Sequence, residues 1–437
     1  NPQKLSNTAW AFAKLACHHH PLRDAISFAA MRILPQFDPL GLVNSAWAFA
    51  AFRREDLPCL NALAAQSLRR IGEFTAQQLA NSAWSFAKLT VRHEPLMDSI
   101  AAVSLRTISQ FHPQNLGNIA WAFAKLKIRN RPLMHAISAS SLAMLPDFAP
   151  QHLTNTVWAG AHLKVIDTPL LDAIAGRSIT TISAFNPQNI ANTSWAYATL
   201  ALRHAPLMAA ISAASMATIR EWQPRHIANS VWAFATLGIL DAPLMASIAS
   251  AARSTITQFG SQGLANTVWA FASLCFADEP LLTAIAAAAL PRIAQFEHQG
   301  LSNTSWSLAV LAFSHAPLLH ALASASQRTM RDFECQDLSN TAWAWATLRV
   351  CHEPLLDAIA SRSMPTIPQF AARDLSNQAW ALATLGVRHA PLRDAIASKA
   401  RRSISDFDAQ NLANISWASA SLGVHDPPLL NAIAASA

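Results

Sequence analysis

The stretch Ile190-Ala-Asn-Thr-Ser-Trp-Ala-Tyr-Ala-Thr-Leu200 is one of twelve similar segments in this 437-residue sequence. Each segment is centred on a tryptophan, and successive tryptophans are 37 residues apart. An asparagine lies three residues before each of them, and a proline lies eleven residues after each. A fixed period of this kind indicates an array of one structural unit, not several independent domains. The tryptophans are Trp10, Trp47, Trp84, Trp121, Trp158, Trp195, Trp232, Trp269, Trp306, Trp343, Trp380 and Trp417.

Each unit is predicted to contain two helices. In helix A, represented by residues 190–200, apolar residues recur at helical spacing around the tryptophan. The proline that follows has the fixed φ and the missing N–H that suit a first helical turn, so a second helix, helix B, is expected over residues such as Leu207 to Ile219. The residue two before this proline is His, Asp or Asn in all copies, which is typical of a helix N-cap or a loop residue.

The fold class that follows is all-α. A single helical pair cannot bury its apolar stripe, so neighbouring pairs are expected to stack into a right-handed α-solenoid, a superhelix of tandem helix-turn-helix repeats. We predict one solenoid over residues 1–437, and we expect it to be a segment of a longer protein whose targeting peptide and terminal caps lie elsewhere. The predicted repeats are 1–37, 38–74, 75–111, 112–148, 149–185, 186–222, 223–259, 260–296, 297–333, 334–370, 371–407 and the incomplete 408–437.

Composition excludes several classes of protein. Disorder is excluded because 52% of the residues are hydrophobic and only 13% are charged. No apolar run is long enough to span a membrane, so membrane insertion is not expected. The sequence contains eleven glycines and no phosphate-binding glycine loop, and its five cysteines are scattered without a CxxC spacing, which favours a reducing compartment. The run His18-His19-His20 is a poor metal site because three consecutive residues rarely converge on one ion.

Catalysis is not expected either, because no nucleophile recurs beside a base and paired carboxylates are absent from helix A. We therefore predict a protein that is not an enzyme, with no cofactor, no metal and no small-molecule substrate.

A helical wheel places the residues five before, one before and two after the tryptophan on a buried arc of helix A, with the tryptophan at its margin and assigned to the core between repeats. The opposite sector holds the residues six and three before the tryptophan and those one, four and eight after it. Several of these positions differ among copies, and a constant scaffold with varying polar sites suits the modular readout of a polymer. The candidate RNA-binding residues of this inner face are Asn7, Thr8, Lys14, Asn44, Ser45, Asn81, Ser82, Lys88, Asn118, Lys125, Asn155, Thr156, His162, Asn189, Asn192, Thr193, Thr199, Asn229, Ser230, Thr236, Asn266, Thr267, Asn303, Thr304, Asn340, Thr341, Thr347, Asn377, Gln378, Thr384 and Asn414.

Charge supports an anionic partner moderately. The net charge is +7, from 32 Lys and Arg against 25 Asp and Glu, with 16 further His. Arginines late in helix B are interpreted as complements to the negative end of the helix dipole. Cations in and just after the first A helices are instead predicted to contact phosphates: Lys14, Arg53, Lys88, Lys125, Lys127 and Lys164.

Two readings of the asparagine stay open. It can form a buried amide ladder between repeats, or it can make a shared contact with the ligand. Because it does not vary among copies, it is not expected to discriminate between bases.

The composite motif resembles that of the octotricopeptide repeat and of its 37-residue relative, the heptatricopeptide repeat. It reads Leu/Ile-x-Asn-x-x-Trp-Ala-Phe/Leu/Trp-Ala-x-Leu, then Pro-Leu, then Ile-x-x-Phe-x-Pro-Gln, and covers the whole chain with departures such as Ser85, Gly160 and Ser307. The resemblance implies a helical-hairpin solenoid of a mitochondrion or plastid that binds single-stranded RNA, rRNA or mRNA, in RNA processing, stability, translation or organelle ribosome assembly. The RAP domain that often follows such repeats is not visible, so nuclease-like activity is unsupported.

Two hypotheses of function follow. The first is a modular single-stranded RNA binder that reads about one base per repeat and works with other proteins of a ribonucleoprotein complex. The alternative is a non-enzymatic protein-binding scaffold or structural subunit of a larger assembly, because Asn and Trp on the inner helices of armadillo-type solenoids grip extended peptides.

Overall fold

The computed structural model describes residues 2–15, 20–52, 56–423 and 425–436. These residues form 24 α-helices and no strands, so the predicted all-α class is confirmed. The A helices are α1 (Pro2–Lys14), α3 (Pro39–Ala51), α5 (Ala76–Lys88), α7 (Pro113–Lys125), α9 (Pro150–Leu163), α11 (Pro187–Thr199), α13 (Pro224–Thr236), α15 (Ser261–Ser273), α17 (His298–Val310), α19 (Cys335–Thr347), α21 (Ala372–Thr384) and α23 (Ala409–Ser421). The B helices are α2 (His20–Ile33), α4 (Leu57–Arg70), α6 (Glu94–Thr107), α8 (Arg131–Ala143), α10 (Thr168–Thr180), α12 (Ala205–Thr218), α14 (Ala242–Thr255), α16 (Glu279–Ala289), α18 (Ala316–Thr329), α20 (Glu353–Thr366), α22 (Ala390–Arg402) and α24 (Pro427–Ser436).

The B helices begin at side-chain caps. In each described copy, the His, Asp or Asn two before the proline accepts a hydrogen bond from the backbone N–H three residues later, which satisfies one of the free N–H groups of the first turn. The histidines do this through Nδ1, as His93 does with the Leu96 N–H at 3.2 Å. The predicted caps are thus confirmed, and His19 lies outside the described residues. The capping residues are Asp56, His93, Asn130, Asp167, His204, Asp241, Asp278, His315, His352, His389 and Asp426.

Each described repeat that continues into another ends in a short 3₁₀ helix and a buried aromatic ring, which precede the next A helix. The 3₁₀ segment Ile182–Ala184 is typical, and Phe185 follows it in extended conformation. The ring at this position is buried in every copy that reaches it, which explains why the aromatic recurs at a fixed distance from the tryptophan. The rings are Phe37, Phe74, Phe111, Phe148, Phe185, Trp222, Phe259, Phe296, Phe333, Phe370 and Phe407.

The chain divides into two compact units, residues 1–214 and 215–437. Within each unit, A helices pack against successive A helices and B helices against successive B helices, which is the arrangement of an α-solenoid. The A helices approach each other more closely than the B helices, because small residues line their contact. A Cβ built on Gly117 would lie 3.5 Å from the Cα of His152 in the next A helix. The A layer is therefore the inner layer within each unit.

Arginines late in helix B, or in the 3₁₀ segment that follows it, donate to backbone carbonyls of the preceding repeat. Arg177 donates to the Pro146 carbonyl at 2.6 Å, Arg292 donates to the Thr257 carbonyl at 2.8 Å, and Arg70 donates to the Phe37 carbonyl at 2.7 Å. These arginines connect consecutive repeats in addition to lying near the negative end of the helix dipole. Among the described helices, none is both long and apolar enough to cross a membrane.

Candidate nucleic-acid interface

One narrow strip of each A helix remains open to solvent. Numbered from the recurrent tryptophan, it comprises the residue seven before, the asparagine three before, the tryptophan itself and the residue four after. At 100° per residue these positions lie within about 60° of the helix circumference. In α11 they are Gln188, Asn192, Trp195 and Thr199, of which Gln188 and Thr199 are exposed and the other two are half-buried. We call this set the A stripe.

The tryptophans lie on the A stripe, so their assignment to the core between repeats is wrong. Trp10 is 42% exposed and Trp417 is 47% exposed, and the other ten are half-buried. Within each unit, an A helix that has A neighbours on both sides is covered by them as well as by helix B, which leaves the tryptophan sector as the open one. Neighbouring rings touch with centroids 6.2 to 6.4 Å apart, in the pairs Trp10–Trp47, Trp84–Trp121, Trp121–Trp158, Trp158–Trp195, Trp343–Trp380 and Trp380–Trp417.

The asparagines line the same strip as the tryptophans. No hydrogen bond joins two of these amides within the described part of the chain; the Oδ1 of Asn414 accepts from Gln410 Nε2 at 2.9 Å, on its own helix. The hypothesis of a buried amide ladder between repeats is therefore not supported, and the amides remain accessible to a ligand. Asn7 is exposed, and the half-buried ones are Asn44, Asn81, Asn118, Asn155, Asn192, Asn229, Asn266, Asn303, Asn340, Asn377 and Asn414.

The hydroxyl or amide residue two before the tryptophan is buried, which contradicts its placement on the inner surface. The side chain points toward the packed side of helix A; some of these side chains form hydrogen bonds inside the protein, whereas the hydroxyls of Thr156, Ser230 and Thr341 have no partner among the described residues. Thr193 Oγ1 lies 3.2 Å from Thr154 Oγ1, Ser45 donates to the Gly41 carbonyl at 2.8 Å, and Gln378 Nε2 donates to Ser363 Oγ at 2.7 Å. Thr8 is exposed. The candidates corrected as buried are Ser45, Ser82, Thr156, Thr193, Ser230, Thr267, Thr304, Thr341 and Gln378.

Asn189 is also a structural residue rather than a surface contact. It is 7% exposed, and its Oδ1 accepts the Asn186 N–H at 3.2 Å while Asn186 caps the Asn189 N–H in return. This reciprocal capping box fixes the start of α11. The same position varies among copies because several side chains serve equally as acceptors, and those that accept the N-cap N–H are Gln78, Asn115, His152, Asn189, His226, Asp337 and Asp374.

The residue four after the tryptophan lies on the A stripe as expected. It is exposed at Lys14, Lys88, Lys125, His162, Thr199 and Thr236, and half-buried at Thr347 and Thr384. The hydroxyl oxygens of Thr347 and Thr384 are buried and have no hydrogen-bond partner within the described residues, so these two candidates do not present their hydroxyls to a ligand.

His162 is the most constrained of these side chains. Its ring stacks on Trp158 with centroids 4.1 Å apart and lies 5.5 Å from the ring of Trp195. Burial, and then the charges of Lys125 and Lys127, lower the pKa of His162 below its ordinary value. The lysines of one repeat thus act electrostatically on the histidine of the next.

The helical wheel did not predict that a glutamine at the beginning of the A stripe belongs to the interface. It occurs in nine copies and is exposed in all of them, and it lies about one helical turn before the asparagine. Its signal in the sequence is its fixed distance of seven residues before the tryptophan, which places both on one face. These residues are Gln3, Gln77, Gln114, Gln151, Gln188, Gln262, Gln299, Gln336 and Gln410; Leu40, Arg225 and Arg373 replace them in the other copies.

Cations concentrate at the carboxyl ends of four consecutive A helices, α5, α7, α9 and α11, and in the loops that follow. Lys88 Nζ lies 5.9 Å from the Trp84 ring, a cation–π distance. We call this set the basic ridge; it includes four of the six cations predicted to contact phosphates. Lys14 lies apart on α1, and Arg53 is outside the described residues. The ridge consists of the exposed side chains Lys88, Arg92, Lys125, Lys127, Arg129, Lys164 and Arg203.

The comparisons with known proteins point to an RNA-associated family. Residues 1–220, 212–353 and 318–436 match the family model described as RNA-editing substrate-binding complex 6 protein. The chain belongs to this family. None of the curated proteins matches the sequence. Among known structures, a homology model of the full-length AP-3 complex in an intermediate open conformation has a chain similar over 97% of this one and 83% of its own, at 10% identity and a TM-score of 0.38, which is too low to inform function.

In this member of the RNA-editing substrate-binding complex 6 family, the A stripe and the basic ridge carry aromatic, amide and cationic side chains. Within the described residues, no group of three or more His, Cys, Asp or Glu side chains could hold a metal ion. The run His18-His19-His20 lies outside the side chains that the structure describes. The A stripe offers ring edges, amide donors and acceptors, and adjacent cations, which are the groups that contact bases and phosphates.

Proposed function

We propose that the chain is a modular single-stranded RNA-binding subunit of an RNA-editing or related RNA-binding complex. The family supports a role in such a complex. The observation that carries the RNA proposal is the A stripe itself, on which Gln, Asn and Trp are repeated at matching places on neighbouring helices. A ligand with its own repeating chemistry is the natural partner for such a surface.

Each component of the A stripe supplies a different contact. The half-buried tryptophan rings offer edges and partial faces to unstacked bases, and their sequence-tolerant stacking contributes about 1–3 kcal/mol per base in other single-strand binders. The amides of Gln and Asn donate to and accept from base edges. The basic ridge beside α5, α7, α9 and α11 supplies charge for the phosphates.

The finer features of the proposal come from the repeat. We propose a heptatricopeptide type of repeat that contacts about one nucleotide per helical pair, with variation concentrated at the residue four after the tryptophan. RNA processing within a complex with other proteins fits the family better than translation or ribosome assembly. Of the two organelles, the family favours the mitochondrion and gives no support to the plastid.

The test is a salt series. Binding of the full chain to a random single-stranded RNA pool is measured for the wild type and for the variant Lys88→Ala/Lys125→Ala/Lys127→Ala. The plot of log affinity against log salt is expected to become shallower by about 2, because each phosphate contact to a single strand contributes about 0.7 to the slope. Affinity should fall for all sequences alike.

The matched control removes three exposed cations outside the A helices, Arg106 and Arg253 on B helices and Arg220 in the 3₁₀ segment after α12, as Arg106→Ala/Arg220→Ala/Arg253→Ala. This variant has the same net charge as the lysine variant but leaves the basic ridge intact. Equal losses in the two variants would show that only net charge matters and would remove the ridge from the proposal.

A protein-binding scaffold is the second candidate. In the unit 215–437 the described A stripe carries only two cations, Arg225 and Arg373, and its amides can equally pair with the backbone of an extended peptide. A wild-type chain that binds no RNA at low salt, but retains a defined polypeptide through purification, would select this candidate.

A further inference from the structure

A cleft of about 500 Å³ lies between the A helices α13 and α15. Its walls are the first two positions of the A stripe in two consecutive repeats: Arg225 and Asn229 on α13, and Gln262 and Asn266 on α15. The cleft thus lies on the surface proposed to bind RNA, and its volume is more than enough for one base. The inference below rests on that proposed function and assigns this one cleft a ligand.

Two glycines line the cleft, and one of them leaves it open. Gly260 is at the N-cap of α15, where the other described A helices after α1 carry a side chain, and Gly263 is at the capping position six before the tryptophan. A Cβ built on Gly260 would meet nothing within 4 Å, because it would project into open space. Both glycines line the cleft, but a Cβ on Gly263 would lie 3.2 Å from the Phe259 ring, so the missing side chain of Gly260 is the one that makes room at this junction.

Arg225 adds a charge that most copies lack. It occupies the position where nine other copies carry glutamine, and it is exposed. Its Nε lies 3.2 Å from Nε2 of His226, and no carboxylate pairs with it among the described residues. The two terminal NH₂ groups of the guanidinium are therefore free to donate a forked pair of hydrogen bonds.

We propose that this cleft selects a guanine base of the bound RNA. Guanine presents two acceptors, O6 and N7, on one edge, and these match the two donors of Arg225. Its N1–H and N2 amino donors can be accepted by the amide oxygens of Asn229, Gln262 or Asn266. Adenine places an amino donor where guanine has O6, so the same guanidinium would face a donor and reject it.

The experiment compares single-stranded oligoadenylate, as long as the repeat array, with the same oligonucleotide carrying one guanine at each position in turn. The wild type is expected to bind the best single-guanine oligonucleotide about tenfold more tightly than oligoadenylate. Arg225→Gln installs the residue found in most copies and should abolish this preference while keeping the affinity for oligoadenylate within about threefold, as for one lost cation contact.

Arg373→Gln is the matched control. It removes the same charge from the same position of another repeat, where Asp408 and Asn411 of the following repeat stand in the places of Gly260 and Gly263. The preference for guanine should survive it. A second pair of variants tests the space: Gly260→Phe fills the cleft and should abolish the preference, whereas Gly72→Phe, also built into open space, should not.

The outcomes separate the two proposals. If Arg225→Gln weakens all oligonucleotides alike and flattens the salt dependence, Arg225 contacts a phosphate and the guanine site is refuted while RNA binding stands. The same conclusion follows if the preference persists in Arg225→Gln or is lost equally in Arg373→Gln. If the wild type binds none of the oligonucleotides at low salt, the proposed function fails and the guanine site fails with it.

Discussion

Replacement of His226 by glutamine should remove a pH-dependent part of the stability of α13. His226 is 7% exposed, and its Nδ1 lies 3.2 Å from the Gln223 N–H, which it caps. Burial, and then the charge of Arg225, lower the pKa of His226 from 6.5 to about 4. Glutamine is the natural neutral equivalent, because Gln78 accepts the Thr75 N–H at 2.9 Å in the same place of another repeat.

The magnitude follows from linkage. In the unfolded chain the imidazole takes up its proton near pH 6.5, but in the folded chain only near pH 4. Its contribution to stability is therefore complete above pH 6.5 and is lost as the pH falls from 6.5 toward 4. A shift of this size corresponds to about 3 kcal/mol at most, of which about 2.5 kcal/mol should be lost by about pH 4.5.

Hydrogen exchange of the α13 backbone amides measures this locally, since it reports the opening of one helix and not of the whole array. Wild type and His226→Gln are compared at neutral pH and at about pH 4.5. The opening free energy of α13 should fall by about 2.5 kcal/mol more in the wild type than in the variant. Equal acid sensitivity in both, or an NMR titration of His226 centred near its ordinary pKa, would refute the reasoning.

Two further predictions concern RNA binding. Thr193→Val should lower the stability by about 1 kcal/mol, because it removes a buried hydroxyl pair with Thr154, and should leave base preference unchanged. Asn192→Ala should instead weaken RNA binding without destabilising the fold. Selection of bound RNA from a random pool with each variant checks both outcomes. RNA affinity should rise as the pH falls below about 6.5, because a protonated His162 adds charge beside Lys125. His162→Gln should reduce this rise; an unchanged pH profile in that variant would exclude His162 from the interface.

Features that depend on local chemistry could be predicted from the sequence. The 37-residue period predicted the two helices of each repeat. The residue two before the proline, His93 before Pro95 and its equivalents, marked the start of helix B because capping involves only residues three apart. Histidine caps as well as aspartate does, since the Nδ1 of neutral imidazole is a hydrogen-bond acceptor.

The exposed face of helix A could not be read from one helix alone. Its A neighbours cover two flanks, and this contact depends on residues 37 positions away. Hydroxyl side chains were predicted to lie on the surface. The hydroxyls of Thr267 and Ser45 instead donate a hydrogen bond to the backbone carbonyl four residues earlier, so these side chains can be buried at little cost in free energy. The large tryptophan looked like core, whereas it lies at the open edge of the layer.

The most direct test of the A stripe is photocrosslinking. A single-stranded RNA that carries a photoreactive uridine is bound to the full chain, and the crosslinked peptides are mapped by mass spectrometry. Crosslinks are predicted in A-helix peptides that contain the stripe, above all in α5, α7, α9 and α11 beside the basic ridge. Binding that persists with crosslinks confined to the B helices would contradict the account.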